Sequence, residues 1–129
     1  MSERRRFSTE TVWEDRVGYS RAVRDGRHVH VSGTLGVGPD GRPPDGCHAQ
    51  AVAAFERIGL ALEALGASFA DVVRTRMYVV DIERNQEGAG RAHAEFLGQV
   101  RPASTMVGIA GLIAPAFVIE IEVEALLPE

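Results

Sequence analysis

Phe117-Val118-Ile119-Glu120-Ile121-Glu122-Val123-Glu124-Ala125-Leu126 alternates apolar and acidic residues almost without a break. Successive side chains of an extended strand point to opposite faces. Phe117, Ile119, Ile121 and Val123 therefore share one face, while Val118, Glu120, Glu122 and Glu124 share the other. The decisive question is what covers each face.

Upstream, the helices that can do the covering are two. From Cys47 to Leu65, Ala51, Phe55, Ile58, Leu62 and Leu65 recur at helical spacing and make one apolar stripe. Asp45 is the expected N-cap, and Gly66 sits where a C-terminal glycine cap belongs. A second helix opens at Asp81 and runs to Gln99, with Gly88 and Gly90 each costing about 1 kcal/mol relative to alanine. Two amphipathic helices cover one face of a four- or five-stranded sheet and leave the other bare. The glutamate face is then either solvated or packed on another subunit. In the neighbouring strand, Val107 and Ile109 alternate with Met106 and Gly108, so neither of its faces is polar, which favours association into a homo-oligomer.

The remaining elements complete the order. Tyr19–Arg24 reads as a strand, Asp25-Gly26 as a hairpin turn, and Arg27–Ser32 as the returning strand. Gly33 to Gly46 carries five glycines and three prolines and reads as a loop. After a turn at Ser68–Asp71, Val73–Val80 alternates as a strand, and Ser104–Ile109 is another. The expected order is β-β-α-β-α-β-β, an α+β single domain over residues 17–129. Residues 1–16 read as an irregular polar extension with Trp13 as its one large apolar anchor.

Composition narrows the function. The chain has 129 residues and a formal net charge of −4, which argues against nucleic acid as a partner. Arg4-Arg5-Arg6 is the only basic cluster and reads as a solvated tail. No apolar stretch follows those arginines, so no secretory signal is expected, and no membrane span is expected either. A lone Cys47 forbids an internal disulfide and suits a reducing cytoplasm. There is no lysine, so chemistry through a lysine Schiff base is excluded, whereas arginines bind anions and rarely act as bases.

Local motifs of cofactor or metal chemistry are missing: no phosphate-cradling glycine loop, no nucleophile elbow around Ser32, no paired-cysteine zinc pattern. No cofactor is expected. His28 and His30 offer two ligands on one strand face without a third, so no metal site is expected. Cys47-His48 are adjacent at a helix start and point in different directions, and Cys47 reads as structural. Glu120, Glu122 and Glu124 read as a solvated edge, unless an oligomer desolvates one of them and raises its pKa toward acid–base work. Tyr19 can close a pocket or simply pack, and Ser32-Gly33 can offer a hydroxyl and backbone amides to an anion. Arg91, His93 and Arg101 are the remaining candidates near a sheet end.

Five pieces in order resemble the RidA family, also called YjgF or endoribonuclease L-PSP. They are Gly18-Tyr19-Ser20-Arg21-Ala22-Val23, Val29-His30-Val31-Ser32-Gly33, Met77-Tyr78-Val79-Val80-Asp81, Arg101-Pro102-Ala103-Ser104-Thr105 and Ile119-Glu120-Ile121-Glu122. The resemblance implies a chorismate-mutase-like fold and a homotrimer with a cleft between each pair of subunits. It implies hydrolysis of reactive enamines and imines to 2-oxo acids and ammonia. Tyr19, Ser32, Gly33 and Glu120 fall on family cleft positions, with Glu120 as the expected catalytic carboxylate. The archetypal Pro-Ala-Arg-Ser is here Pro102-Ala103-Ser104-Thr105, Met106 replaces a common cysteine, and Gly108 a common glutamate. A serine hydroxyl cannot make the bidentate pair that arginine makes with a carboxylate. The expected substrate-binding set is therefore Tyr19, Ser32, Gly33, Ser104 and Met106, with Arg91 or Arg101 replacing the lost anion grip. An imine deaminase of altered range is the favoured expectation, and a non-catalytic trimer that binds a small metabolite is the alternative.

Overall fold

The terminal strand is the sheet's backbone in the literal sense. In the computed structural model, which describes residues 3–129, β6 (Ile119–Leu126) lies between β3 (His28–Leu35) and β4 (Val72–Val80). Ile119, Ile121, Val123 and Ala125 are buried, and the alternate Glu120, Glu122 and Glu124 are not. The six strands run in the order β1-β2-β3-β6-β4-β5, with β1 (Arg5–Phe7), β2 (Ala22–Asp25) and β5 (Ala103–Ile109) completing the sheet. β4 and β5 are parallel, and every other pairing is antiparallel.

Both long helices, α2 (Cys47–Ala64) and α3 (Ile82–Leu97), pack on the same face. The stripe of Ala51, Phe55, Ile58, Leu62 and Leu65 is buried as its periodicity demanded. Phe55 stacks on Phe96 at 5.1 Å between ring centroids and meets Phe69 edge-on, tying α2 to α3. Gly66, in the left-handed region, ends α2 in a Schellman arrangement: its N–H donates to Glu63 and that of Ala67 to Leu62. Neither long helix packs on the sheet's other face, where the alternate residues of β6 lie.

Several expectations need correction. The expected irregular extension, residues 1–16, is ordered in its described part, with residues 1 and 2 outside the described residues: Arg5–Phe7 pairs with Ala22–Arg24, and α1 (Val12–Val17) follows. Arg4 is held by Asp25 at 2.8 Å, and Arg5 donates to the carbonyl of Ala64, so the basic run is tied to the sheet. The sheet thus has six strands rather than four or five. Thr11 and Glu14 form a reciprocal capping box on α1, a signal that the eye passes over in so short a helix. Asp45 does not cap α2; Gly46 occupies that position, with φ 93°. Tyr19 precedes β2, which begins at Ala22. Gly33 to Leu35, expected in a loop, extends β3 through a bulge between Val31 and Thr34.

Glu14 fastens the N-terminal segment. It is 5 % exposed and accepts hydrogen bonds from the hydroxyls of Ser8, Thr9 and Thr11 and from the amides of Thr9 and Thr11. Burial by itself would raise its pKa. The donated hydrogen bonds outweigh that and hold it at about 2. Its stabilisation is therefore full above the unfolded value near 4.5 and is lost as pH falls from there toward 2. Glu14→Gln is expected to lose about 2 kcal/mol in urea unfolding at pH 7, and the gap to the wild type should close as the titration is repeated toward pH 2.

The two helix glycines differ in kind. A Cβ at Gly88 would meet the backbone nitrogen of His48 at 2.9 Å, so α3 needs glycine to approach the first turn of α2. Gly90 has nothing within 4 Å of such a Cβ. Gly90→Ala should raise stability by about 0.5–1 kcal/mol, whereas Gly88→Ala should lower it by about 1–3 kcal/mol through overpacking. Chemical denaturation of the two variants side by side checks the pair.

Candidate functional site

The open sheet face is a ladder of charges laid down by strand register. Glu120 lies opposite Leu35 on β3 and Tyr78 on β4, Glu122 opposite Arg76, and Glu124 opposite His30 and Arg74. Glu122 accepts from the Tyr78 hydroxyl at 2.8 Å, and Glu124 sits 3.3 Å from Arg76 and 3.8 Å from His30. Both are compensated.

Glu120 is not. Among the described residues nothing donates a hydrogen bond to it, and it forms no ion pair. Burial pushes its pKa up; the positive charge of Arg21 opposes this, and the neighbouring Glu122 adds to it. The cause of its seclusion is local. At the β3 bulge, a Cβ on Gly33 would overlap the Glu120 carboxylate, so glycine leaves the space that the side chain fills. The bulge is itself pinned: the Ser32 amide donates to the Arg21 carbonyl at 2.9 Å, the Ser32 hydroxyl to the Ser20 carbonyl at 2.6 Å, and Arg21 Nη2 to the Gly33 carbonyl at 2.6 Å.

Glu120 opens into a cleft of about 450 Å³. Trp13 and Val17 of α1, with Ile113 and Phe117 before β6, supply apolar walls, and Tyr19, Arg21 and Gly33 supply the floor beside Glu120. Arg57 reaches in from α2 and donates to the carbonyl of Leu35. The Arg21 guanidinium carbon lies 5.7 Å from the centroid of the Tyr19 ring, within cation–π range. A half-buried carboxyl, two guanidiniums and aromatic walls make a site for a small anionic or polar ligand with an apolar part.

Of the residues expected from sequence, the structure brings Tyr19, Gly33 and Glu120 together. Ser32 supports the bulge, with its hydroxyl turned to Ser20. Arg91 faces outward from α3, paired with Glu87 at 3.2 Å, and Arg101, at φ 58°, is exposed just before β5. Neither reaches this cleft. Ser104 and Met106 pair with Thr75 and Met77, which puts them on the helix-covered face of β5, opposite in sense to Glu120. Ser104 Oγ accepts from Thr75 Oγ1 at 2.7 Å, and Thr75 Oγ1 also meets His93 Nε2 at 2.9 Å. Burial pulls the His93 pKa down. Cys47 is buried, and burial pushes its thiol pKa up, which fits a structural residue. Sequence reasoning missed Arg21, Arg57 and Trp13. Arg21 stands two residues from Tyr19, a legible signal. Arg57 carries none, because it borders the buried stripe of α2 as a surface arginine would.

The imidazole of His48 and the carboxylate of Glu95 meet at 2.6 Å across the helices, far from the cleft. No helix among the described residues is long and apolar enough to cross a membrane.

Comparison with known proteins agrees with this geometry. A crystal structure of Rv2704 from Mycobacterium tuberculosis, described as a member of the YjgF/YER057c/UK114 family, superposes with a TM-score of 0.89 at 45% identity, covering 97% of this chain and 100% of that one. A RutC family protein, YjgH, of Escherichia coli is 33% identical over 112 residues, or 86% of this chain and 84% of that protein. The 2-iminobutanoate/2-iminopropanoate deaminase of Rattus norvegicus is 36% identical over 66 residues, half of this chain and 48% of that protein. The family model for endoribonuclease L-PSP matches residues 11–127, and the chain belongs to that family.

Proposed function

We propose that the chain is a deaminase-type hydrolase of small reactive imines or enamines, working in clefts completed by neighbouring copies of itself. The observation that carries this is Glu120, a half-buried carboxyl without a partner among the described residues, with its pKa raised by burial, at the base of a cleft lined by guanidiniums. Raised carboxyl pKa values suit proton transfer near neutral pH. The partial likeness to a deaminase of 2-imino acids supports the same chemistry.

The reaction balances on one carboxyl. Protonated Glu120 gives its proton to the imine nitrogen, which makes the carbon more electrophilic. Water adds to that carbon, and the Glu120 carboxylate takes the proton water loses. Returned to the nitrogen, that proton lets ammonia leave as the carbonyl forms, and Glu120 takes up the proton that the former hydroxyl releases. Imine and water become carbonyl compound and ammonia, and Glu120 ends as it began.

Assembly supports the site. The open face carries half-buried charges, and Val73 and Val107 are exposed beside it. A homotrimer would set the β5 edge of one copy, with Ser104 and Met106, against the Glu120 cleft of the next. A reducing cytoplasm suits the lone, buried Cys47. The second reading, binding without turnover, draws on Ser104, whose hydroxyl stands in the Pro102-Ala103-Ser104-Thr105 segment where the family archetype has arginine.

Light scattering should give three times the 13.9 kDa chain mass. Ammonia release from freshly generated neutral and anionic imines should be at least about 100-fold slower in Glu120→Gln, in line with the loss of one general acid–base group. Gly33→Ala, which forces the carboxylate aside, should fall with it while remaining folded. Absence of turnover for every imine, together with a rise in melting temperature when a metabolite is added, would transfer the assignment to the binding reading.

A further inference from the structure

His93 is a half-buried imidazole that the chemistry at Glu120 does not use. α2 meets it edge-on with the ring of Phe55, centroids 5.9 Å apart and planes at 76°, which fixes the imidazole plane. β4 and β5 present the hydroxyls of Thr75 and Ser104. Burial alone pulls the His93 pKa down, and no charged group on any of these elements acts on it. The imidazole is therefore neutral at pH 7, with a proton on one ring nitrogen and a lone pair on the other.

Counting protons gives the chain its polarity. Thr75 Oγ1 has one proton and donates it to Ser104 Oγ at 2.7 Å. Toward His93 Nε2, 2.9 Å away, Thr75 can then only accept, so Nε2 carries the imidazole proton and Nδ1 the lone pair. Nδ1 has no hydrogen-bond partner among the described residues and is open to solvent. At the far end Ser104 is exposed, and its own proton is not taken by Thr75. Thr75 between them is buried completely, which keeps water out of the middle of the chain. Three donors in a row thus point outward, from a ring nitrogen that solvent can reload to a hydroxyl on the surface of β5.

We infer that His93, Thr75 and Ser104 form a proton relay between solvent and the outer surface of β5, and that it serves the Glu120 cleft of the adjoining copy. The inference rests on the reading of that cleft as an imine-hydrolysing site shared between copies, and adds a second acid–base group to it. A proton from solvent binds Nδ1 as the Nε2 proton moves to Thr75, the Thr75 proton to Ser104, and the Ser104 proton to the nitrogen of the tetrahedral adduct. Each hydroxyl oxygen loses one proton and gains one. The chain is then reversed, with the imidazole proton on Nδ1 and Ser104 ready to accept. The proton of the adduct's hydroxyl, released as ammonia leaves, runs back to Nε2, and Nδ1 returns its own to solvent. The last two proton transfers, which fall to Glu120 when it acts alone, pass to the relay. His93 touches no substrate and acts through Ser104.

Nitrogen NMR of the assembled, histidine-labelled protein, with ammonia release from freshly generated imines measured in parallel, tests this. His93 should appear at pH 7 as the neutral Nε2–H tautomer. Thr75→Val, which keeps the shape and removes the hydroxyl, should release it to a mixture of tautomers. Thr75→Val and His93→Gln should each lower kcat about 100-fold with KM unchanged, the low end of the range for one positioned acid–base group. The double variant should lose no more than either single one, because both cut the same chain. Thr75→Ser, which returns the hydroxyl, should recover most of the rate. An Nδ1–H tautomer in the wild type, or losses that multiply in the double variant, overturns the relay. A wild type inert toward every imine, with its His93 tautomer still governed by Thr75, overturns only the hydrolase reading. Turnover with kcat unchanged in Thr75→Val overturns only the relay.

Discussion

β6 is paired on both sides, and its side chains can alternate only one way. Ile119, Ile121, Val123 and Ala125 lie on the face that α2 and α3 cover with their apolar stripes. Burying those four residues contributes several kcal/mol of transfer free energy, and a one-residue slip would put three carboxylates under the helices instead. Register on both flanks is therefore fixed by the core. The row of glutamates on the far face is the consequence, and everything on that face is arranged around three negative charges in line.

The structure disposes of those charges in two ways. Arg76 and His30, and Tyr78 through its hydroxyl, reach Glu122 and Glu124 and compensate them in partly exposed surroundings, where such pairs contribute little to stability but remove repulsion. Tyr78 shows the electrostatic coupling directly, since its hydrogen bond to Glu122 raises its own pKa. At Glu120 the pair with Leu35 on β3 is regular, but the bulge between Val31 and Thr34 lies just before it. The bulge and Gly33 make room for the carboxyl while withdrawing partners from it. One local irregularity thus separates a surface ladder from a chemical group.

What was legible in the sequence, and what was not, follows the range of each interaction. Alternation in Phe117–Leu126 and the stripe in Cys47–Leu65 are local, repeated patterns, so both faces of β6 and the buried side of α2 could be read directly. The pairing of Arg5–Phe7 with Ala22–Arg24 is not local. Three residues show no period, and their strand exists because an unsatisfied edge of β2 is within reach. Glu120 could be singled out only through the likeness to a family, because Glu120, Glu122 and Glu124 are equivalent by spacing. Their difference arises from the bulge, which depends on hydrogen bonds between Arg21, Ser32 and Gly33. Arg91 and Arg101 were reasonable candidates by sequence neighbourhood. Helix phase turns Arg91 outward, and Arg101 ends up beyond the other edge of the sheet, where no contact with Glu120 within one chain is geometrically available.

Ser104 illustrates how a substitution reorganises what surrounds it. Its hydroxyl is engaged by Thr75, and Thr75 by His93, so the space beside β5 is closed by a short chain of neutral hydrogen bonds rather than by a cation. Neutral His93 is favoured there by burial, which penalises the imidazolium. On its helix-covered face β5 therefore presents a hydroxyl at this position, while Arg21 and Arg57 lie in the cleft beside Glu120. A carbonyl-held guanidinium keeps its charge available to a ligand, whereas a carboxylate-held one has already spent it on a partner. Gly33 and Leu35 hold Arg21 and Arg57 in the first way, one carbonyl within the bulge and the other just after it. The irregularity that isolates Glu120 also orients the positive charges facing it, so the polarity of the cleft and the proton affinity of its carboxyl have a common structural origin.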